Sequence, residues 1–518
     1  GTMKKIKINQ VRAGALLSYF NMAIGTLIPM FYTPIMLRLL GQGEYGLYKL
    51  SGSVTSYLSL ISFGIGSAVV RYFTKYRAEN DKRGEENIFG LFNVIFAIIC
   101  AITVLVGVVI SLNLGYIYSD ALSNSDQLFE MQILVLILSV NTAISFLCSP
   151  YNAVVTSHER FVFLQIVNIL ITVVTPMANI IVLFWGFKSV GMVVSSLLVN
   201  IVVRVVYIVY VRKSIGLKPK YDNMPKNLVK EILIFSFWVF VANVVNQLYS
   251  TTDTLIIGAI PALATIGVAI YNIGATFNSM MTSFSLGLLN VLTPKVNMMV
   301  FKNADDEQLT DLMIRIGRLQ CYIVSLVAFG FISFGQQFIN LWAGDGYQEA
   351  YWVALFTMIP SCIPLIQNVA MNVIVAQNKH RFRSLVYLFI AIANVIGTLI
   401  LVNCYGIVGA AFMTGIANIA GQGFVMNWYY WKKIKLNIPR FWKSVLNIFL
   451  IPAALSVVTY GISFFIDFNN VYAMISGIVV FTFLFFVLQI IFVMNDYEKD
   501  IFRKPVIGLI NKLRKKKA

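Results

Sequence analysis

Residues 249–274 read YSTTDTLIIGAIPALATIGVAIYNIG, and two features of this stretch decide the fold. The first is whether the chain turns at Gly258–Pro261 or runs straight through. Apolar sequence continues on both sides, and one unbroken helix through it would be about 60 residues long, roughly three times what hydrocarbon requires. Gly258 and Pro261 are turn residues, so the run is read as two spans joined by a short hairpin. The second feature is Asp253. A carboxylate inside an apolar span is costly unless it faces other helices or water.

The rest of the chain repeats the pattern. The apolar set makes up 58% of its 518 residues and charged residues only 12%, with a mean hydropathy of +0.78. Soluble domains carry about 25% charged residues. Apolar stretches of about 20 residues recur from end to end, the length that crosses a bilayer. None alternates with the period of a barrel strand, and helices keep every backbone group bonded in lipid. The expectation is an all-α polytopic membrane protein with fourteen transmembrane helices, near 13–37, 46–70, 88–112, 129–155, 162–185, 190–211, 230–257, 263–290, 312–339, 350–375, 382–402, 407–430, 441–465 and 470–494.

Lysine and arginine orient these spans. With both termini cytoplasmic, one side collects Lys4, Lys5, Lys7 and Arg12, then Arg71 to Arg83, Arg160, six cations between Arg212 and Lys230, then Lys379 to Arg383, and Lys432 to Lys443. The other side holds Arg38, Lys49 and Lys188 beside the acidic Asp120, Asp126, Asp345, Glu349 and Asp467. The net charge of +18 is thus inside-positive bias and attraction to anionic lipid, and no nucleic-acid partner is expected. The tail ending NKLRKKKA reads as a basic surface segment. Gly1 and Thr2 read as a cloning remnant before a natural start at Met3, with no signal peptide following. Five dispersed cysteines read as packing residues, and His158 and His380 lie apart in loops, so no metal site is expected.

Residues 37–72 (LRLLGQGEYGLYKLSGSVTSYLSLISFGIGSAVVRY) weakly repeat residues 255–296, with Tyr45-Gly46 matching Ile266-Gly267. The offset contains six spans, an even number, so the two halves would be parallel. This gives an N-terminal lobe over 1–212 (spans 1–6), a cytoplasmic inter-lobe loop over 213–229, a C-terminal lobe over 230–432 (spans 7–12), two extra spans in 433–498, and the basic cytoplasmic tail 499–518.

Polar residues cluster inside spans. Asn243, Asn246, Ser250 and Asp253 follow i, i+3, i+7, i+10 spacing and share one helical face. Asn21 lies in span 1, Asn272 in span 8, and Asn368 and Asn372 in span 10. Such stripes face neighbouring helices or water, and as a set they suggest a hydrated cavity. Pro29, Pro34, Pro360 and Pro364 would allow helix bending. Arg204 lies mid-span in NIVVRVVYIVY. It can be a cavity cation, a partner of Asp253, or a residue that snorkels inward. Arg38 and Lys49 flank the turn LGQGEYG, where Glu44 is the expected partner. Arg315 and Arg318 sit at a cytoplasmic helix end. Against one buried acid this is a surplus of cations, which suits an anionic substrate and, through paired arginine donors, a phosphate or diphosphate. There is no G-x-x-x-x-G-K loop and no constellation for catalysis. Transport, not enzymatic activity, is the expectation.

LRLLGQGEYGLYKLSG, FGIGSAVVRYFTKY, TTDTLIIGAIPALATIGVAIYNIG and TPKVNMMVFKNADDEQL occur in the order and spacing seen in one family. In these segments the chain resembles the polysaccharide-biosynthesis, O-antigen flippase-like family of the multidrug/oligosaccharidyl-lipid/polysaccharide exporter superfamily. The resemblance implies two parallel six-helix lobes, alternating access in the bacterial or archaeal cytoplasmic membrane, and an undecaprenyl-diphosphate-linked glycan moved from the inner to the outer leaflet. It also implies a working monomer, polymerase or glycosyltransferase machinery as neighbours, and a cationic cavity for which Arg38, Lys49, Arg204, Arg315 and Arg318 are the candidates. Asp253 would then bind H⁺ or Na⁺ as coupling ion, or pair structurally. Lipid II flippases and multidrug cation antiporters of the same superfamily are the alternatives. Span 1 has no interior charge, unlike either.

Overall fold

In a computed structural model the described residues are 2–501 apart from 123, 303, 378 and 380. The basic tail beyond 501 and His380 fall outside them, as do the side chains of the flank 4–12. Every regular element among the described residues is helical. In chain order they are α1 (Thr2–Leu40), α2 (Gln42–Ser56), a 3₁₀ turn (Tyr57–Ser62), α3 (Ile65–Ala78), α4 (Lys82–Asn113), α5 (Gly115–Tyr118), α6 (Ser125–Ser157), α7 (Phe161–Phe184) and α8 (Ser189–Tyr210). A π turn (Val211–Ile215) leads to α9 (Leu228–Ala259), α10 (Ala264–Phe301), α11 (Asp306–Trp342), α12 (Ala350–Ile366), α13 (Asn368–Ala376) and α14 (Arg381–Asn418). A second π turn (Ile419–Val425) leads to α15 (Met426–Lys432), α16 (Ile438–Ile462) and α17 (Val471–Phe492).

The turn in the opening stretch is present. α9 stops at Ala259, Ile260 is extended, and α10 starts at Ala264 in a left-handed conformation (φ 46°). Among the described residues, ten helices are long and apolar enough to cross a membrane, or eleven if α12 and α13, bent by 53°, count as one span. The 52-residue run Arg381–Lys432 is one of the ten. It is about twice the length a bilayer needs and is broken at Gly406 (φ 65°, ψ −147°). The expected second span is cut in two by Phe63 and Gly64, both left-handed at φ 50° and 70°, so neither half reaches spanning length. Ten or eleven is the number the helices give by length and hydropathy, against fourteen expected from sequence. α1 runs as helix through Pro29 and Pro34.

Backbone contacts divide the chain into two compact units. One is Gly1–Asn272 with Ala391–Ala410, the other Ile273–Ile390 with Ala411–Ala518. In the first, Phe73, Phe89, Phe92, Phe96 and Tyr151 form an aromatic core between α3, α4 and α6. Helices approach where side chains are small: a β-carbon at Gly107 would strike Ser139, and one at Gly46 would strike the Thr265 carbonyl. In the second, α11 is the central helix. Asp305 and Gln308 close a reciprocal cap at its start, and Gly317 admits the ring of Phe441 from α16. The bend between α12 and α13 is pinned by a reciprocal amide pair of Gln367 and Asn427 (2.6 and 3.0 Å), which Trp442 joins at 3.0 Å.

Candidate polar cavity and buried carboxylate

Within the first unit, α3 and α6 flank an open cavity of about 260 Å³ lined by Gly66 and Val70 on one side and by Ser145, Cys148, Ser149 and Asn152 on the other. α8 borders this polar wall. Asn200 donates to the Asn141 side chain at 2.7 Å and to Ser145 at 2.9 Å. One turn further along α8 lies Arg204. Its Nη1 is buried and has no hydrogen-bond partner among the described residues. Its charge reaches Cys100 and Cys148, and Cys148 lines the cavity. A buried guanidinium nitrogen without an acceptor is the group that an anionic ligand would satisfy. Elsewhere in this unit, Asn21 accepts from Thr172 (3.2 Å), and Asn179 donates to Tyr32 (3.1 Å) while accepting from Ser195 (2.9 Å).

The four residues of the stripe all lie on the continuous helix α9. Asn243, Asn246 and Ser250 are exposed, whereas Asp253 is 3% exposed. Asp253 accepts from the Tyr271 hydroxyl at 2.6 Å and from Thr398 at 3.2 Å. Thr398 also meets Asn394, one turn earlier on α14, at 3.4 Å. Of the readings open for Arg204, pairing with Asp253 is not realised, since these hydroxyls surround the carboxylate instead. Tyr271 and Thr398 escaped the sequence reading. Tyr271 was accessible to it, because a buried carboxylate needs donors and the α9–α10 hairpin returns that residue. Thr398 comes from far along the chain, and no local pattern points to it. Next door, Asn272 donates to Thr254 (3.3 Å) and to the Val268 carbonyl (2.8 Å).

The other candidate cations differ in surroundings. Arg38 is exposed in the last turn of α1. Lys49 is partly buried, with its ammonium 5.6 Å from the Tyr45 ring centre. The expected partner of these two, Glu44, is engaged elsewhere: Ser189 donates to it through its hydroxyl (2.5 Å) and its backbone N–H (3.4 Å). The start of α8 is favourable to a carboxylate, and Glu44 is held there instead of by Arg38 or Lys49. In the second unit Arg315 is exposed and lies 4.8 Å from the Tyr497 ring centre. Arg318 is buried and bonds Glu498 twice (2.6 and 3.1 Å), the Tyr322 hydroxyl (3.0 Å), and the carbonyls of Ser444 and Val493. Its guanidinium is committed to the protein. Asn368 is buried just after the bend, and Asn372 is half-buried. No group of three or more metal-ligating side chains occurs among the described residues.

A model of the family described as polysaccharide biosynthesis protein matches residues 35–352. No curated protein sequence matches. Among solved structures, the fold is similar to that of the lipid II flippase MurJ in an inward closed conformation, with 15% identity, TM-score 0.72, and coverage of 95% of this chain and 99% of that one. It is also similar to an inward-facing multidrug resistance MATE family transporter of the MOP superfamily (13% identity, TM-score 0.62, 84% and 99% covered). A third similar structure is a MOP superfamily transporter from Pyrococcus furiosus, reported to have a binding pocket of reversed polarity (15%, 0.56, 83% and 96%).

Proposed function

The chain belongs to the polysaccharide biosynthesis protein family, and on that premise we propose that it is a flippase for an undecaprenyl-diphosphate-linked oligosaccharide. It moves this substrate from the inner to the outer leaflet of a bacterial or archaeal cytoplasmic membrane by alternating access. The observation that carries the reading is the unpartnered guanidinium nitrogen of Arg204 beside the polar cavity between α3 and α6. A diphosphate brings acceptors that a paired-donor guanidinium suits. Lys49 and Arg38 are further candidates for that charge, and Arg315 remains one in the second unit. Arg318 no longer does, because Glu498 already neutralises it. Asparagines 21, 243, 246, 368 and 372 and Ser250 are proposed to line the path of the sugars, and Asn272 to brace the helix beside it.

Asp253 is the proposed site of the coupling ion, H⁺ or Na⁺. Tyr271 and Thr398 donate to its carboxylate, which is 3% exposed, and burial makes a charge costly. An arriving proton or cation would relieve that cost. Pro360 and Pro364, beside the pinned bend of α12, are the proposed flexing points of the second unit, with Pro29 and Pro34 in α1.

The test is translocation in proteoliposomes carrying a fluorescent undecaprenyl-diphosphate oligosaccharide, with and without a proton or Na⁺ gradient. Protein-dependent translocation that Arg204→Gln abolishes is the expected result. Accumulation of a cationic dye without glycan translocation would instead make the protein a multidrug antiporter. Movement of lipid II alone would make it a lipid II flippase.

A further inference from the structure

The break in the second expected span creates a surface that the glycan reading does not use. Phe63 and Gly64 both have positive φ (50° and 70°), so the chain leaves helical geometry for two residues before α3 resumes. Gly64 is needed there. A β-carbon on it would crowd Val239 and the Ser236 carbonyl of α9, so the break lies directly on that helix. Phe63 is thereby laid against α9, stacked on Phe240 with ring centres 4.6 Å apart and tilted towards Phe237 at 6.3 Å.

Beside this contact is a trough of about 480 Å³ lined by Phe63, Leu233, Ile234, Phe237 and Trp238. Its walls are apolar and open, with Ile234 62% and Trp238 67% exposed. Two cations lie on the neighbouring segments. The Arg71 guanidinium lies 4.7 Å from the ring centre of Phe235, and Lys230 is exposed one turn before Ile234. The one carboxylate nearby, Glu231, bonds the Tyr72 hydroxyl, and no ion pair joins any described carboxylate to Arg71. The lining residues begin about five residues into α9, or about 8 Å along its axis. The trough is shallow and open, and the cations beside it set it apart from a plain apolar helix side.

We propose that this trough holds the isoprenoid chain of a polyprenyl phosphate, with the phosphate at Arg71 and Lys230. The proposal rests on the reading of the protein as a carrier of polyprenyl-linked glycans. It adds a docking place for the lipid part, separate from Arg204.

The test uses the full chain in proteoliposomes and undecaprenyl phosphate bearing a diazirine in the isoprene unit next to the phosphate. Photolabelling is expected within residues 233–238 and at Phe63. Unlabelled undecaprenyl phosphate should compete, and phosphatidylglycerol at the same mole fraction should not. Leu233→Trp, which fills the trough, and Arg71→Gln should each lower labelling about tenfold while the protein remains monodisperse. Equal competition by phosphatidylglycerol would mean ordinary annular lipid and would overturn the proposal, as would labelling confined to other segments. If Leu233→Trp does not fold, the competition on the unmodified chain still decides. The same vesicles report translocation. Translocation without label in the trough removes this site and leaves the flippase reading standing. Label in the trough without translocation does the reverse.

Discussion

Arg318 and Asp253 are both buried charges in helices of spanning length, and they are held in opposite ways. Arg318 is answered by a full opposite charge and several neutral acceptors. Removing one partner of such a pair leaves a charge with no water to retreat to. Glu498→Gln should therefore lower stability by about 3 kcal/mol, seen as an earlier thermal transition in detergent. Replacing both partners, Arg318→Met with Glu498→Leu, should recover most of that loss. If the double variant melts as early as the single one, the pair is not the reason the segment after α17 stays bound to α11. Asp253 accepts from the Tyr271 and Thr398 hydroxyls. The two hydroxyls meet different carboxylate oxygens; an amide of the same shape can accept from one and donate to the other, so Asp253→Asn should fold normally and elute unchanged. Its transport should lose dependence on the ion gradient. Retained dependence in a well-folded Asp253→Asn variant would remove this residue from coupling and leave it a structural role.

At the level of elements, the sequence shows where helices end better than how they pack. The hairpin at Gly258–Pro261 was legible because turn residues interrupt an apolar run too long for one helix. The break at Phe63–Gly64 was not, because the apolar pattern continues across it and a phenylalanine with positive φ has no local signature. The bend at Gln367 likewise depends on Asn427 and Trp442, far along the chain. The site divides the same way. The α9 stripe could be read from spacing, whereas the hydroxyls around Asp253 and the acid that occupies Arg318 are long-range partners. Glycine shows how packing then constrains sequence. Gly46 and Gly52 both lie in α2, six residues apart, yet only Gly46 touches another helix closely. Gly46→Ala should force α2 away from Thr265 at a cost of about 1–3 kcal/mol. Gly52→Ala meets open space and should be neutral or stabilising by about 0.5–1 kcal/mol. Equal melting temperatures for the two variants would mean that this close approach does not hold α2 in place.

For the whole molecule, the open quantity is how many times the chain crosses, and parity measures it without counting each span. The sequence places three crossings between Asp120 and Lys218, three between Lys218 and Asp345, three between Asp345 and Lys433, and one between Lys433 and Asp467. Each of these five positions is exposed. Single cysteines placed there, in a chain whose five native cysteines are changed to serine, can be labelled in intact cells with a membrane-impermeant maleimide. Positions 120, 345 and 467 should label directly, and 218 and 433 only after permeabilisation. Two structural features stand or fall on this pattern. Labelling of 345 on the same side as 218 would mean that α9 and α10 do not each cross, despite the hairpin between them. Labelling of 433 on the same side as 345 would mean that the bent pair α12–α13 turns back on itself, or that the break at Gly406 is a kink within one crossing. The inside-positive charge makes the expected pattern the favoured one, since in either alternative the basic segment Lys432–Lys443 would face outward.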